Sequence, residues 1–536
     1  MTSELRKALA ERVVVLDGAM GTQIHAADLD LKKDFLGLEN CSEIINVTRP
    51  DVIGEIHGRY FAAGCDAVET NTFGGSLMTL AEFDLQDRCD EINFEGARTA
   101  RKIADEYSTP DQPRFVFGSM GPGTKLATLG QVSYSELKNS YLVQARGLVR
   151  GGVDALLVET CQDPLQIKAA LNAAIEAREE AGRDIFLQVS VTMEVTGTML
   201  VGTEMSAAIA ILDAYPLDLL SLNCATGPRE MGEHVRLLGQ TCRSFIGVYP
   251  NAGLPQLVDG ETVYPLGPEE LADWLVRFVK EDGVNLVGGC CGTTPEHLAA
   301  ISRKMKGLEP KVRKPRGTAQ VASVYSAVNL VQENSVLLVG ERSNCNGSKA
   351  FREHMLDGDL DSMVQMGRDQ VRAGSHVIDL CAAYVGRDEV ADMTGAVERY
   401  RTDVASPIMV DSTETPVLKA ALELLGGRSI INSINLEDGP QKCAEVLPLA
   451  REHGSAVVCL TIDEDGMAKT ADEKVRIARR IHDICTKEYG LRPEDLLFDV
   501  LTFTICTGNE DDRKLGLETL EGIRRVREEL PGVGTL

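Results

Sequence analysis

The residues best equipped for chemistry are three cysteines. Cys290 and Cys291 are adjacent, in Gly288-Gly289-Cys290-Cys291-Gly292, and Cys224 follows Asn223 further upstream. Neighbouring cysteines do not comfortably bond to each other, but both can turn thiolates toward one metal ion. Thiolates suit zinc, and three protein ligands leave a fourth position for a substrate. The alternative is three buried structural thiols. Against it stand the rarity of a cysteine doublet and the place of all three in the pattern around them.

That pattern must bring Cys224 to the doublet. From the N-terminus to about residue 305, short apolar runs alternate with helical segments. The runs are Val13–Leu16, Asp66–Thr70, Phe115–Gly118, Ala155–Val158, Ile185–Val191, Leu219–Leu222, Phe245–Tyr249 and Asn285–Val287. Helices are expected near 51–63, 89–107, 135–150, 164–180, 205–213, 229–241 and 268–281. A last one starts after Thr294, the N-cap, with Pro295 in its first turn. Runs this apolar belong in a parallel sheet covered on both faces, and eight strand–helix units close into a (β/α)8 barrel. Asp17, Glu69, Glu159, Asn223, Cys224, Cys290 and Cys291 all fall at the C-terminal ends of runs, which form one mouth in this fold. Runs six and eight are next but one, so the three cysteines share a layer there. Gly288-Gly289 is expected to let the backbone bend before the doublet.

Asp17-Gly18-Ala19-Met20-Gly21-Thr22, Glu69-Thr70-Asn71-Thr72-Phe73, Val158-Glu159-Thr160, Asn223-Cys224 and Gly288-Gly289-Cys290-Cys291-Gly292 together resemble the homocysteine S-methyltransferase domain. The resemblance implies that Cys224, Cys290 and Cys291 are the zinc ligands and the catalytic set, with zinc binding the homocysteine sulfur. It implies that Asp17, Gly18, Glu159 and Asn223 contact homocysteine. The chemistry is coherent. A free thiol titrates at about pH 8.5, whereas zinc coordination deprotonates it, and a thiolate held this way can attack a methyl group without redox chemistry.

Composition narrows the setting. With 55 Lys and Arg against 81 Asp and Glu, the net charge is −26, which argues against nucleic-acid binding. The start, Met1-Thr2-Ser3-Glu4-Leu5-Arg6, has no apolar signal region, and no apolar run is long enough to span a membrane. Most of the 14 cysteines, such as Cys65, Cys381 and Cys459, sit singly in apolar runs, as buried free thiols in a reducing cytoplasm would. The expected location is cytoplasmic.

At 536 residues the chain exceeds one domain. Three parts are expected: a barrel over 1–305, a linker over 306–334 and a second barrel over 335–536. The linker carries the basic run Lys311-Val312-Arg313-Lys314-Pro315-Arg316-Gly317, too short in so acidic a chain to indicate nucleic acid. Beyond it, six apolar runs begin at Val336, Val377, Ile408, Ser429, Ala456 and Leu496, with helices expected near 361–373, 415–425, 441–453, 471–487 and 512–529. A seventh strand is expected only to begin before Leu536, so the second barrel is read as C-terminally incomplete after about six strands. Its mouth would hold Glu341, Asn344, Asp379, Asp411, Asn432 and Asp499, acceptors and amides suited to a heterocycle rich in N–H donors, such as a pterin.

Gly340-Glu341-Arg342-Ser343-Asn344, Met409-Val410-Asp411-Ser412 and Ile431-Asn432-Ser433-Ile434-Asn435 resemble the pterin-binding domain of dihydropteroate synthase-like proteins, in its methyltetrahydrofolate-binding version; Ser343 replaces the usual Thr. The resemblance implies a folate site at Glu341, Asn344, Asp411, Asn432, Asp438 and Asp499. The two domains in this order resemble the N-terminal half of the cobalamin-dependent methionine synthase family. That implies an enzyme of methionine synthesis in which homocysteine accepts methyl from methylcobalamin, and methyltetrahydrofolate remethylates cob(I)alamin. Cobalamin would be held by a further domain or a partner protein. The rival readings are a homocysteine methyltransferase with another donor, such as betaine or S-methylmethionine, and a substrate-binding fragment inactive without a corrinoid-binding partner.

Overall fold

The computed structural model describes residues 4–258, 261–505 and 511–536. The chain divides into two compact units, residues 4–209 with 216–317, and 318–536 with 210–215.

In the first unit eight parallel strands form one sheet: β1 (Val14–Val15), β2 (Ala67–Glu69), β3 (Phe115–Met120), β4 (Ala155–Cys161), β5 (Phe186–Val191), β6 (Leu219–Asn223), β7 (Phe245–Tyr249) and β8 (Leu286–Val287). From β2 to β8 each pairs with the next, and β8 pairs back onto β1. Asp66 closes the ring. Its N–H donates to the Val15 carbonyl at 2.7 Å, and its carboxylate accepts the Val15 N–H at 2.9 Å. Helices α1 (Pro50–Ala62), α2 (Cys89–Tyr107), α3 (Tyr134–Gly151), α4 (Pro164–Ala181), α5 (Met205–Leu212), α6 (Pro228–Thr241), α7 (Pro268–Asp282) and α8 (Pro295–Met305) follow the strands in turn.

The strands are apolar throughout because both faces are covered. Ala155 and Leu157 join Phe115, Phe117, Phe186, Leu219 and Leu286 inside the barrel, while Leu156 and Val158, equally buried, alternate outward. Each such Val or Leu contributes about 1.5–3 kcal/mol. Leu5 and Leu9 of an N-terminal helix, Glu4–Glu11, complete this core. Helix starts follow local chemistry. Ser133 and Glu136 form a capping box at α3, and Asp163 caps α4 ahead of Pro164.

The basic run after α8 has a structural use. Lys311 donates to the Glu281 carbonyl at 2.6 Å, and Arg313 to the carbonyls of Cys242 (2.7 Å) and Ser244. The cations thus sit at the carboxyl ends of α6 and α7, where carbonyls lack helical partners.

The second unit is the expected incomplete parallel barrel, with two departures from expectation. Its parallel sheet has seven strands: β9 (Val339–Asn344), β10 (Val377–Cys381), β11 (Ile408–Asp411), β12 (Ile430–Ile434), β13 (Ala456–Leu460), β14 (Leu496–Asp499) and the two-residue β15 (Gly534–Thr535). Among the described residues no ladder joins β9 to β15, so the arc is an open barrel. The first departure is a helix not expected from the sequence, Glu389–Asp403, between β10 and β11. The second is that residues 320–329 are not featureless linker. Gln320–Ala322 and Ala327–Asn329 pair as an antiparallel hairpin, and Val321 is buried against Val377, Met409, Ile430, Ala456 and Leu497. Arg428, fully buried, donates to the Gln320 carbonyl at 2.8 Å and to Asp495 at 2.6 Å, tying the hairpin to the sheet.

Candidate metal centre and substrate pockets

Cys224 is the residue after β6, with a φ of 61°, and Ala225 follows at 53°. Two successive non-glycine residues in the left-handed region cost about 1–3 kcal/mol each, strain of a kind that concentrates at functional sites. The doublet follows β8 and is fixed by the loop after β7. Cys290 N–H donates to the Pro250 carbonyl at 2.9 Å, and Ala252 N–H to the Cys291 carbonyl at 3.0 Å. The turn itself is made by Gly292, at φ 78°. Gly288 and Gly289 serve differently from the expected bend. Neither has a left-handed φ; both allow close approach, since an added Cβ would lie 3.0 Å from the Leu16 Cβ and 2.5 Å from the Thr293 hydroxyl respectively.

The three sulfurs all lie within 4.8 Å of one another, the only such His, Cys, Asp or Glu group among the described residues. Cys224 and Cys291 are 3.8 Å apart. With Zn–S bonds of about 2.3 Å, a tetrahedron has an S···S edge of about 3.8 Å, so the donor set fits zinc in both chemistry and spacing. The thiols behave as one system. Hydrogen bonds from Cys224 and Cys290 hold Cys291 down at about 3, and those same contacts with Cys224 and Cys291 push Cys290 well above the ordinary thiol range. Cys224 is lowered by Cys290 but more strongly raised by Cys291 and by burial, to about 12.

Beside the sulfurs lies a buried carboxylate cluster. Asp17 accepts the Glu69 N–H at 3.1 and 3.2 Å, and Glu159 accepts from the Ser119 hydroxyl. Burial pushes Asp17 and Glu69 well above the carboxylate range, and mutual repulsion with Glu159 adds to it. Burial likewise lifts Glu159 to about 7, against the Ser119 bond. Glu69 Oε1 is buried with no hydrogen-bond partner. An orphan acceptor among three carboxylates invites a cationic donor. Gly18 is buried beside Thr293 and Tyr60. Asn223 is committed to the scaffold. Its Oδ1 accepts from Ser190 Oγ at 2.7 Å and Thr160 N–H at 3.2 Å, and its Nδ2 donates to Thr160 Oγ1 at 2.8 Å and approaches Cys290 Sγ at 3.8 Å.

At the strand ends of the second unit four polar side chains form one row across β9 to β12. Asn344 Nδ2 donates to Asp379 at 2.9 Å and Asp411 at 2.8 Å, and Asn432 Nδ2 to Asp379 at 3.4 Å. Burial, then the Asp379 charge, raises Asp411 to about 6. Asp499 ends β14 and accepts the Leu501 N–H at 2.8 Å. Asp499, Glu341 and Asp438 stand apart from the hydrogen-bonded row: Glu341 and Asp438 are exposed, the latter in the loop after β12. Ser343 faces away from the mouth, bonded to Tyr400 and Gln370. Sequence reasoning placed Asp379 and Glu69 at the two mouths by their strand ends but left both out of the substrate contacts that the resemblances implied. It missed Ser119 and Ser190, which carried no pattern.

An eight-stranded parallel barrel with three convergent thiols at its mouth is thus followed along the chain by a second parallel sheet with an Asn/Asp row. Residues 14–305 match the family model described as Homocysteine S-methyltransferase, more than half the chain, and the chain belongs to that family. Residues 340–535 match the model described as Pterin binding enzyme. The methionine synthase of Mycobacterium tuberculosis (strain ATCC 25618 / H37Rv) is 49% identical over 536 residues, covering 99% of this chain and 45% of that protein. That of Mycobacterium leprae (strain TN) is 49% identical over 541 residues, with the same coverage. The chain thus spans less than half the length of these relatives. The solved homocysteine methyltransferase MmuM from Escherichia coli, metallated form, is 24% identical, with a TM-score of 0.45 over 55% of this chain and 96% of that one.

Proposed function

We propose that the chain serves methionine synthesis. Its first unit methylates homocysteine at a zinc centre, and its second binds methyltetrahydrofolate, the source of the methyl group. The observation that carries this reading is the convergence of Cys224, Cys290 and Cys291 within 4.8 Å at a barrel mouth. These residues would hold the ion. Zinc supplies a Lewis-acid position that keeps a substrate thiol deprotonated at neutral pH. The chain's own groups do the rest. Asp17, Glu69 and Glu159 attract the α-ammonium of homocysteine, Glu69 Oε1 being the free acceptor. Gly18 lets the chain pass close beside the ligand, and Asn223 sets the loop from which Cys224 projects.

In the second unit Asn344, Asp411 and Asn432, with Asp379, pair with the pterin ring edge, and Glu341, Asp438 and Asp499 flank it. N5 of the folate leaves readily only when protonated. Asp411, held at about 6, sits in the row as the acid nearest neutrality for that work. Cobalamin, carried by a further domain or a separate protein, is the methyl carrier between the two sites. Names of the relatives and their greater length support that division of labour. Free thiols throughout the described residues suit a reducing cytoplasm.

Two assays test the reading. Homocysteine with free methylcobalamin should yield methionine, and methyltetrahydrofolate with cob(I)alamin should yield methylcobalamin. Methionine formed from betaine or S-methylmethionine instead would reassign the donor. Silence in both assays would reduce the chain to a binding fragment.

A further inference from the structure

Lys474 belongs to no motif, yet it is fully buried, which a lysine seldom is without a charged partner. It lies in the first turn of the helix Ala471–Asp483. Its hydrogen-bond partners among the described residues are all carbonyls. Nζ donates to that of Ala468 at 2.9 Å, to that of Leu501 at 3.3 Å and to that of Val500. Its stem passes Gly522 of the helix Leu515–Glu529, where an added Cβ would lie 2.7 Å from the Lys474 Cδ. The Phe503 ring stands over Nζ, its centre 5.2 Å away. Val500, Leu501 and Phe503 belong to the loop that leaves β14 at the mouth of the second unit.

That loop sets Asp499. The Asp499 carbonyl accepts from both the N–H and the hydroxyl of Thr461, each at 3.1 Å, which fixes its backbone. The peptide between Val500 and Leu501 is then held at both ends. Its carbonyl accepts from Lys474, and its N–H donates to the Asp499 carboxylate at 2.8 Å. The next carbonyl, of Leu501, accepts from Lys474 again and from Thr519 Oγ1 at 3.0 Å. Leu501 has a φ of 60°, a left-handed backbone that a residue with a Cβ rarely adopts. Burial lowers the Lys474 pKa, and the Asp499 charge does most to offset that. We propose that Lys474 is a positioning residue for the pterin site: it fixes the Val500–Leu501 peptide, whose N–H aims the Asp499 carboxylate at the mouth. The proposal rests on the reading of the second unit as the methyltetrahydrofolate site.

The test uses the full chain with Lys474→Met, Asp499→Ala and the two together, read by hydrogen–deuterium exchange and by calorimetric binding of methyltetrahydrofolate. Lys474→Met should speed exchange in residues 500–503 and leave β9 to β13 as protected as in wild type. It should also weaken methyltetrahydrofolate binding roughly tenfold. Because Lys474 acts through Asp499, the double variant should bind no more weakly than Asp499→Ala, whereas a purely structural lysine would give losses that add. Additive losses, or unchanged exchange in that loop, would overturn the proposal. Lys474→Gln, which keeps an amide donor, takes the place of Lys474→Met if the latter does not fold. A wild-type chain that binds no methyltetrahydrofolate would overturn the folate reading instead, and the exchange result still decides whether Lys474 fixes the loop.

Discussion

Replacing His57 by leucine should make the first unit resistant to acid. His57 lies in α1, fully buried, and neither ring nitrogen has a hydrogen-bond partner. Burial disfavours the imidazolium and lowers its pKa from 6.5 to about 4. The unfolded chain therefore binds a proton that the folded chain refuses. Stability contributed by the neutral ring is intact above pH 6.5 and is lost as pH falls from there toward 4. The whole shift of about 2.5 pH units corresponds to about 3.4 kcal/mol, of which about 2 kcal/mol is gone by pH 5. Leucine is similar in volume and cannot titrate. The assay is denaturant unfolding at pH 8 and pH 5, followed by emission of Trp274, the only tryptophan and part of α7 in the same unit. Wild type should lose about 2 kcal/mol more than His57→Leu between the two conditions. Equal losses would refute the assignment of acid sensitivity to this ring.

Two further outcomes concern the pockets. Asp411, raised to about 6, carries its acceptor charge only above that pH, so pterin binding should weaken as pH falls through 6. Asp411→Asn should bind weakly with no such dependence; titration calorimetry at pH 5 and 7.5 checks both, and an unchanged pH profile in the variant contradicts the assignment. Glu69→Gln removes a carboxyl group that the fold does not use and that would ionise only against a bound ammonium, so stability should hold while homocysteine affinity falls roughly tenfold or more, the worth of one charged hydrogen bond. Full affinity in that variant would remove Glu69 from the amino-acid pocket.

Much of the first unit was legible because its strands are apolar on both faces. A run such as Ala155-Leu156-Leu157-Val158 has one reading, and the next polar residue marks the mouth. The cysteine doublet stood out for the same reason: rare residues at a strand end. The helix Glu389–Asp403 did carry a signal, an Asp388 N-cap and the buried Met393, Ala396, Val397 and Tyr400 at helical spacing; Thr394 and Gly395, weak helix formers, interrupt it. The hairpin at 320–329 is too short to show alternation, and only the burial of Val321 reveals what it covers. Asp379 was seen at its strand end, but its place between Asn344 and Asn432 depends on register across the four strands β9 to β12.

The most direct measurement is zinc X-ray absorption on the chain with and without homocysteine. The account predicts one zinc per chain with three sulfur neighbours at about 2.3 Å, rising to four when homocysteine binds, and loss of the ion in Cys290→Ala. Undiminished zinc in that variant, or a sulfur count that homocysteine leaves unchanged, would contradict it.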